Sequence, residues 1–180
     1  TVFEGYRKTF GQYYRPTPYD SAHAHPTSIQ SIMHFKDLPD TALTETLRNE
    51  TLSGASIGKR HDSTLLVNLK RLVDAGVPVA TATDAGNIGS PHVSSYFNEL
   101  SSMRRGGLDM WQLLQSSTIN GARAVGKEKE FGSIAKGKRA DLVLLSQNPI
   151  VNLDNWQQVD WVILRGVAIR PGDLLKTASD

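Results

Sequence analysis

The sequence predicts an α/β chain with a β-rich tail, on three observations. Residues 63–83, STLLVNLKRLVDAG then VPVATAT, read as amphipathic helix, glycine and apolar strand. That order is half of a parallel α/β unit. Two more apolar stripes at helical spacing follow before residue 126. From Phe131 the pattern changes to short apolar runs between turn residues, the grammar of a small β-subdomain. The expected division is therefore residues 1–128 and 129–180, with the change falling near 126–132.

The first 40 residues carry Pro16, Pro18, Pro26 and Pro39 and read as loop, with one short strand around Ile29 to Phe35. Asp40 can cap a helix through about Asn49, with Leu43 and Leu47 on one face. Ser63 can cap the next helix, whose stripe is Leu65, Leu66, Leu69, Leu72 and Val73. Gly76 stands where a left-handed C-terminal cap belongs. The strand Val77 to Thr83 follows directly and ends on Asp84, with Gly86 behind it.

A second helix is expected from about His92 to Arg105, with Val93, Tyr96, Phe97, Leu100 and Met103 on its apolar side and Gly106 and Gly107 ending it. Asp109 caps a third, to about Val125, burying Met110, Leu113, Leu114, Ala122 and Val125. In the tail, strands are expected over Asp141 to Leu145, over WVILRG, and over the short continuation VAIRPG.

Composition narrows the function classes. An apolar fraction of 39% and a charged fraction of 21% are those of an ordinary globular protein. No apolar run reaches the roughly 18 residues of a membrane span. The opening TVFEGYRKTF lacks an apolar core of the signal-peptide kind. The net charge of +2 is spread thinly, apart from Lys136, Lys138 and Arg139, so neither nucleic acid nor membrane is an expected partner. With no cysteine, thiolate chemistry and sulfur-bound zinc are excluded, and any metal must be held by His and carboxylate. Nothing here fixes a compartment.

All five histidines fall within the first 92 residues. In SAHAHP, His23 and His25 are two apart; on a strand both would point to one face and reach one metal ion, while beside prolines they read equally as a loop pair. His34 sits in the apolar run SIMHF, where a core or rim histidine is the ordinary reading. His61, in GKRHDS just before a helix, reads as solvent-exposed, and His92 as the opening of a helix. Asp84 is either a helix cap or a functional carboxylate, since active sites of parallel α/β folds sit at the C-terminal ends of strands. A carboxylate there can bind a metal or accept a proton from a metal-bound water.

Four stretches carry a resemblance: NLKRLVDAGVPVATATDAGN, ELSSMRRGGLDMWQLLQSSTINGARAVG, FGSIAKGKRADLVLLSQNPI and VDWVILRGVAIR. From about Asn68 to Arg170 the chain resembles the C-terminal half of the amidohydrolase superfamily, nearest its imidazolonepropionase-like and prolidase-like branches. The resemblance implies a partial TIM-like (β/α) barrel with a small β-sandwich subdomain at the C-terminus. It implies one or two divalent metal ions, usually zinc, that activate water for hydrolysis of a C–N bond in an amide, cyclic amide or dipeptide. Asp84 matches the family's eighth-strand Asp, a metal ligand and proton shuttle. Asn87 and His92 lie in the following loop, where related enzymes touch substrate.

His34, followed by Asp37 and Asp40, resembles the sixth-strand metal ligand. His25 resembles the fifth-strand ligand, but lies only nine positions from His34, and a βαβ crossover needs about 10–12 residues. SAHAHP, with His23 and His25, equally resembles the first-strand H-x-H-P. Only about 125 residues precede the tail, whereas a complete barrel takes about 250, with some 200 as the lower end. The remaining ligands are therefore expected from an N-terminal half or a second copy of the chain. The competing expectation is a structural fragment that binds no metal.

Overall fold

The structure is a computed structural model, and it describes residues 15–33, 45, 55–86, 90–92 and 94–176. The chain forms two compact units, residues 1–71 with 82–106 and residues 72–81 with 107–180.

In the first unit, α1 (Pro18–His23) opens with a reciprocal cap: Thr17 Oγ1 accepts the Asp20 N–H at 3.0 Å and Asp20 Oδ2 accepts the Thr17 N–H at 3.0 Å. Helix α2 (Pro26–Met33) stands where a strand was expected around Ile29 to Phe35. Two local causes decide it. Pro26 suits the first turn of a helix, and the His25 carbonyl accepts the N–H groups of Ser28 and Ile29. The apolar residues Ile29, Ile32 and Met33 also recur at helical spacing. The helix expected after Asp40 lies outside the described residues.

Helix α3 (Ala55–Asp74) begins eight residues before Ser63, which is inside it rather than at its cap. The one local obstacle upstream is Gly58, a weak stop costing about 1 kcal/mol. Leu66, Leu69 and Val73 are half-buried, whereas Leu65 and Leu72 of the expected stripe are exposed at 50% and 48%. The C-terminus is as expected: Gly76 has φ 76°, its N–H bonds the Val73 carbonyl, and Val77 N–H bonds the Leu72 carbonyl. This is the double bond of a Schellman cap. Helix α4 (Ser94–Arg105) buries Leu100 and Met103 and stops before Gly106 and Gly107. A Cβ at Gly106 would lie 3.3 Å from the methyls of Leu66 and Leu69, so glycine lets the end of α4 approach α3. Val93 lies outside the described residues.

In the second unit, Asp109 caps α5 (Met110–Ser117), with Oδ1 accepting the Gln112 N–H at 2.7 Å and Gln112 Oε1 accepting the Asp109 N–H at 2.9 Å. The expected single helix to Val125 is instead broken at Thr118 (φ −129°, ψ −93°), and α6 (Ile119–Ala124) follows. Two contacts accompany the break. Thr118 Oγ1 donates back to the Leu114 carbonyl at 2.6 Å, and Gly132 packs into the notch, where a Cβ would come within 2.6 Å of Ala122 Cβ. Leu113 and Ala122 are buried as expected, but Val125 is 64% exposed.

Residues 77–84 run without helix or paired-strand structure among the described residues, where a barrel strand was expected. Their described tethers are side-on: Thr81 N–H to the Ser116 carbonyl at 3.1 Å, Thr81 and Ser117 hydroxyls at 3.2 Å, and Asn120 Nδ2 to the Val79 carbonyl at 3.0 Å. A strand forms only with a ladder partner beside it.

The tail holds β1 (Leu142–Leu145), β2 (Val159–Leu164) and β3 (Val167–Ile169), an antiparallel sheet in that order, matching the three expected runs. Helix α7 (Pro171–Lys176) follows. Arg165 and Gly166, both left-handed (φ 52° and 85°), make the two-residue turn between β2 and β3. Asp141 holds that turn: Oδ1 accepts the Arg165 N–H at 2.8 Å, while Oδ2 accepts Arg139 Nε. The Arg165 N–H, then the Arg139 guanidinium, hold the Asp141 carboxyl below the usual carboxylate range. The RADLVLL stretch thus reads as one device, an acid that locks the hairpin into which its own strand pairs.

Because the folded-state pKa of Asp141 is depressed, its stabilisation is complete above the unfolded value of about 3.9 and is lost as pH falls through the folded one. Thermal unfolding of the parent and Asp141→Asn is expected to differ at pH 6 and to converge in acid; a gap independent of pH contradicts this. Gly132→Ala combines overpacking with a left-handed φ of 91°. It should lower unfolding free energy in urea by about 1–3 kcal/mol.

Candidate active site

Asp84 ends the extended segment with φ 50°, one of two non-glycine residues in the left-handed region among those described. Such a backbone is unfavourable for a residue with a Cβ, and is found where the surroundings impose it, often at functional sites. Here Thr83 Oγ1 accepts the Ala85 N–H at 3.2 Å, and the Ser90 carbonyl accepts the Gly86 N–H at 2.9 Å. Gly86 takes φ 99°, which only glycine adopts readily. The result is a tight reversal at which Asp84 is exposed while Ser90 and Pro91 are buried. An exposed carboxylate at such a point can reach both an incoming molecule and water.

His92 returns toward this turn. A Cβ built on Gly86 would lie 3.4 Å from His92 Nε2, so the imidazole edge faces the residue two after Asp84. Asn87 lies outside the described residues, as does His34.

His23 and His25 do not lie on a strand. His23 ends α1, Ala24 is extended (φ −86°, ψ 149°), and His25 precedes α2 with its Nδ1 accepting the Thr27 N–H at 3.3 Å. The alternation that would put both rings on one strand face is therefore absent. With Nδ1 engaged, Nε2 is the nitrogen of His25 left to face a ligand. Both histidines are exposed. His61, expected before a helix, is inside α3.

Among the described residues no three His, Asp or Glu side chains gather as a metal-holding group. The donors present, imidazole and carboxylate without thiol, suit zinc and other divalent ions, but the described ones do not close a site. Sequence reading missed the supports: Thr83 and Ser90 around the turn, and Asp20, a buried carboxylate whose T-x-x-D cap is visible in TPYD. Among the described residues its Oδ1 has no hydrogen-bond partner.

Residues 10–169 match the sequence profile of the amidohydrolase family. The chain belongs to that family. It is 36% identical over 121 residues to an imidazolonepropionase from Shouchella clausii, covering 63% of this chain and 26% of the relative. It is 38% identical over 96 residues to one from Geobacillus kaustophilus, covering 53% and 21%. A solved Xaa-Pro dipeptidase with bound methionine in its active site superposes with a TM-score of 0.58 at 28% identity, over 79% of this chain and 33% of that one. The chain thus spans about a fifth to a third of the relatives it matches. These are the branches to which the quoted motifs pointed.

The left-handed backbone at Asp84 gives a stability test that does not depend on activity. Asp84→Gly and Asp84→Ala both remove the carboxylate, but only alanine keeps the steric cost of φ 50°. Asp84→Gly should exceed Asp84→Ala in unfolding free energy by about 1 kcal/mol in urea. Equal stabilities would mean that the turn relaxes when the carboxylate is gone.

Proposed function

We propose that this amidohydrolase-family chain is the C-terminal part of a metal-dependent hydrolase that cleaves a C–N bond in an amide, cyclic amide or dipeptide. The observation carrying the reading is the turn at Asp84: an exposed carboxylate held in a left-handed backbone at the end of an extended segment, inside residues 10–169 that match the amidohydrolase family. Asp84 acts as the base. It takes a proton from the attacking water as the oxygen bonds to the carbonyl carbon, then gives that proton to the nitrogen as the C–N bond breaks. A divalent ion, zinc by preference, supplies the acidity that makes water a nucleophile near neutral pH. Asp84, His34 and His25 or His23 are the ligands this chain offers, and Asn87 and His92 face the substrate.

In this reading residues 77–84 are one strand of a (β/α) barrel built on residues 1–128, and residues 129–180 give strands to a composite sandwich. The rest of the barrel comes from an N-terminal half or from a second copy. Val143, Leu164 and Val167, on one face of the β1–β3 sheet and 54–62% exposed, support a covering partner. Size-exclusion chromatography is expected to show an oligomer or complex; a well-behaved monomer counts against the partner.

A fold remnant without catalysis is the second reading, favoured by the dispersal of His and carboxylate among the described residues. Hydrolysis of an Xaa-Pro dipeptide and of imidazolonepropionate decides between them. Asp84→Asn should lower turnover by at least about 100-fold while circular dichroism is unchanged. Undiminished turnover in the variant rejects the role of Asp84, and no turnover in the parent favours the remnant.

A further inference from the structure

The first turn of α2 ends on one residue. A helix leaves the N–H groups of its first turn without carbonyls of the regular ladder, so other acceptors have to take them. Pro26, at the first position, has no N–H to place. The Ser28 N–H bonds the His25 carbonyl at 2.9 Å, and the Ile29 N–H reaches the same carbonyl at 3.3 Å. The Thr27 N–H goes to the side chain instead, 3.3 Å from His25 Nδ1. Carbonyl and ring of one histidine thus receive every N–H of residues 26–29. That is the work of an N-cap residue, with a ring nitrogen in place of the usual side-chain oxygen. The proline after it agrees, because the residue before a proline is steered away from helical backbone.

The cap sets the polarity of the ring. A nitrogen that accepts a hydrogen bond has its lone pair in use, so in the neutral imidazole the proton sits on the other nitrogen, Nε2. A metal ligand needs the reverse: one lone pair toward the ion, and an N–H on the far nitrogen donated to a carboxylate or carbonyl. The far nitrogen of His25 faces a donor, the Thr27 N–H. Ligation through Nε2 would move the proton to Nδ1, set N–H against N–H and strip Thr27 of this acceptor. What Nε2–H suits is an oxygen acceptor, and His25 is exposed.

We propose that His25 is the N-cap of α2 and that this role withdraws it from the metal-ligand set. The cap stands on geometry alone. Its consequence for the metal rests on the reading of the chain as a metal-dependent hydrolase, in which the SAHAHP ligand is then His23.

The test uses the 15N-labelled protein at about pH 8, where an ordinary histidine is neutral. Long-range proton–nitrogen correlations show which ring nitrogen of His25 carries the proton, before and after addition of zinc chloride. Hydrogen exchange follows the Thr27 amide in the parent, His25→Ala and His25→Asn. The proton is expected on Nε2 in both conditions. Thr27 exchange should be about fivefold faster in His25→Ala and close to the parent in His25→Asn, since asparagine is among the best N-caps. A proton on Nδ1 without zinc, or equal Thr27 exchange in parent and His25→Ala, overturns the cap. Zinc that displaces the Nε2 proton overturns the withdrawal from the ligand set. If zinc binds nowhere on the protein, the metal part of the functional reading falls instead, and the zinc-free ring and Thr27 exchange decide the cap by themselves.

Discussion

A single backbone reversal organises what this chain can do. Asp84 adopts a conformation that a residue with a Cβ resists, and it is kept there by a threonine hydroxyl on one side and a serine carbonyl beyond Gly86 on the other. Val79 and Thr81, in the extended run before it, are tethered within the second unit to the Asn120 side chain and the Ser116 carbonyl. The residues after it run into α4. Asp84 is thus an exposed residue on a backbone held from both sides.

Much of the scaffold was readable because its causes are local. The Gly76 cap, the Asp109–Gln112 box, the glycines after α4 and the three tail strands each follow from a handful of adjacent residues. Where packing decides, the reading failed. Thr118 has no sequence mark that breaks a helix; Gly132, fourteen residues on, lies in the notch. Ser63 resembles a cap, yet the helix runs through it because nothing upstream stops it strongly. Prolines around SAHAHP suggested loop and strand, but Pro26 at a helix start and His25 as acceptor made α2 instead.

The site divides along the same line. The turn at Asp84 was legible because the apolar run before it and Gly86 behind it are nearly contiguous. The metal-ligand pairing of His23 and His25 leaned on strand alternation, and the chain on either side of them is helical instead. The approach of the His92 ring to the Cβ position of Gly86, six positions earlier in the chain, is not displayed by a sequence. Family membership rests on the match over residues 10–169, and the chain covers about a fifth to a third of the length of its relatives.

The central claim is that Asp84 is where this protein holds its metal and its water. The most direct measurement is anomalous scattering from crystals of the protein grown with zinc, recorded on both sides of the zinc absorption edge. The account predicts an anomalous peak within about 2.0–2.2 Å of an Asp84 carboxylate oxygen, with imidazole nitrogens completing the site. Zinc bound only at sites remote from Asp84, with that carboxylate facing bulk solvent, would contradict it.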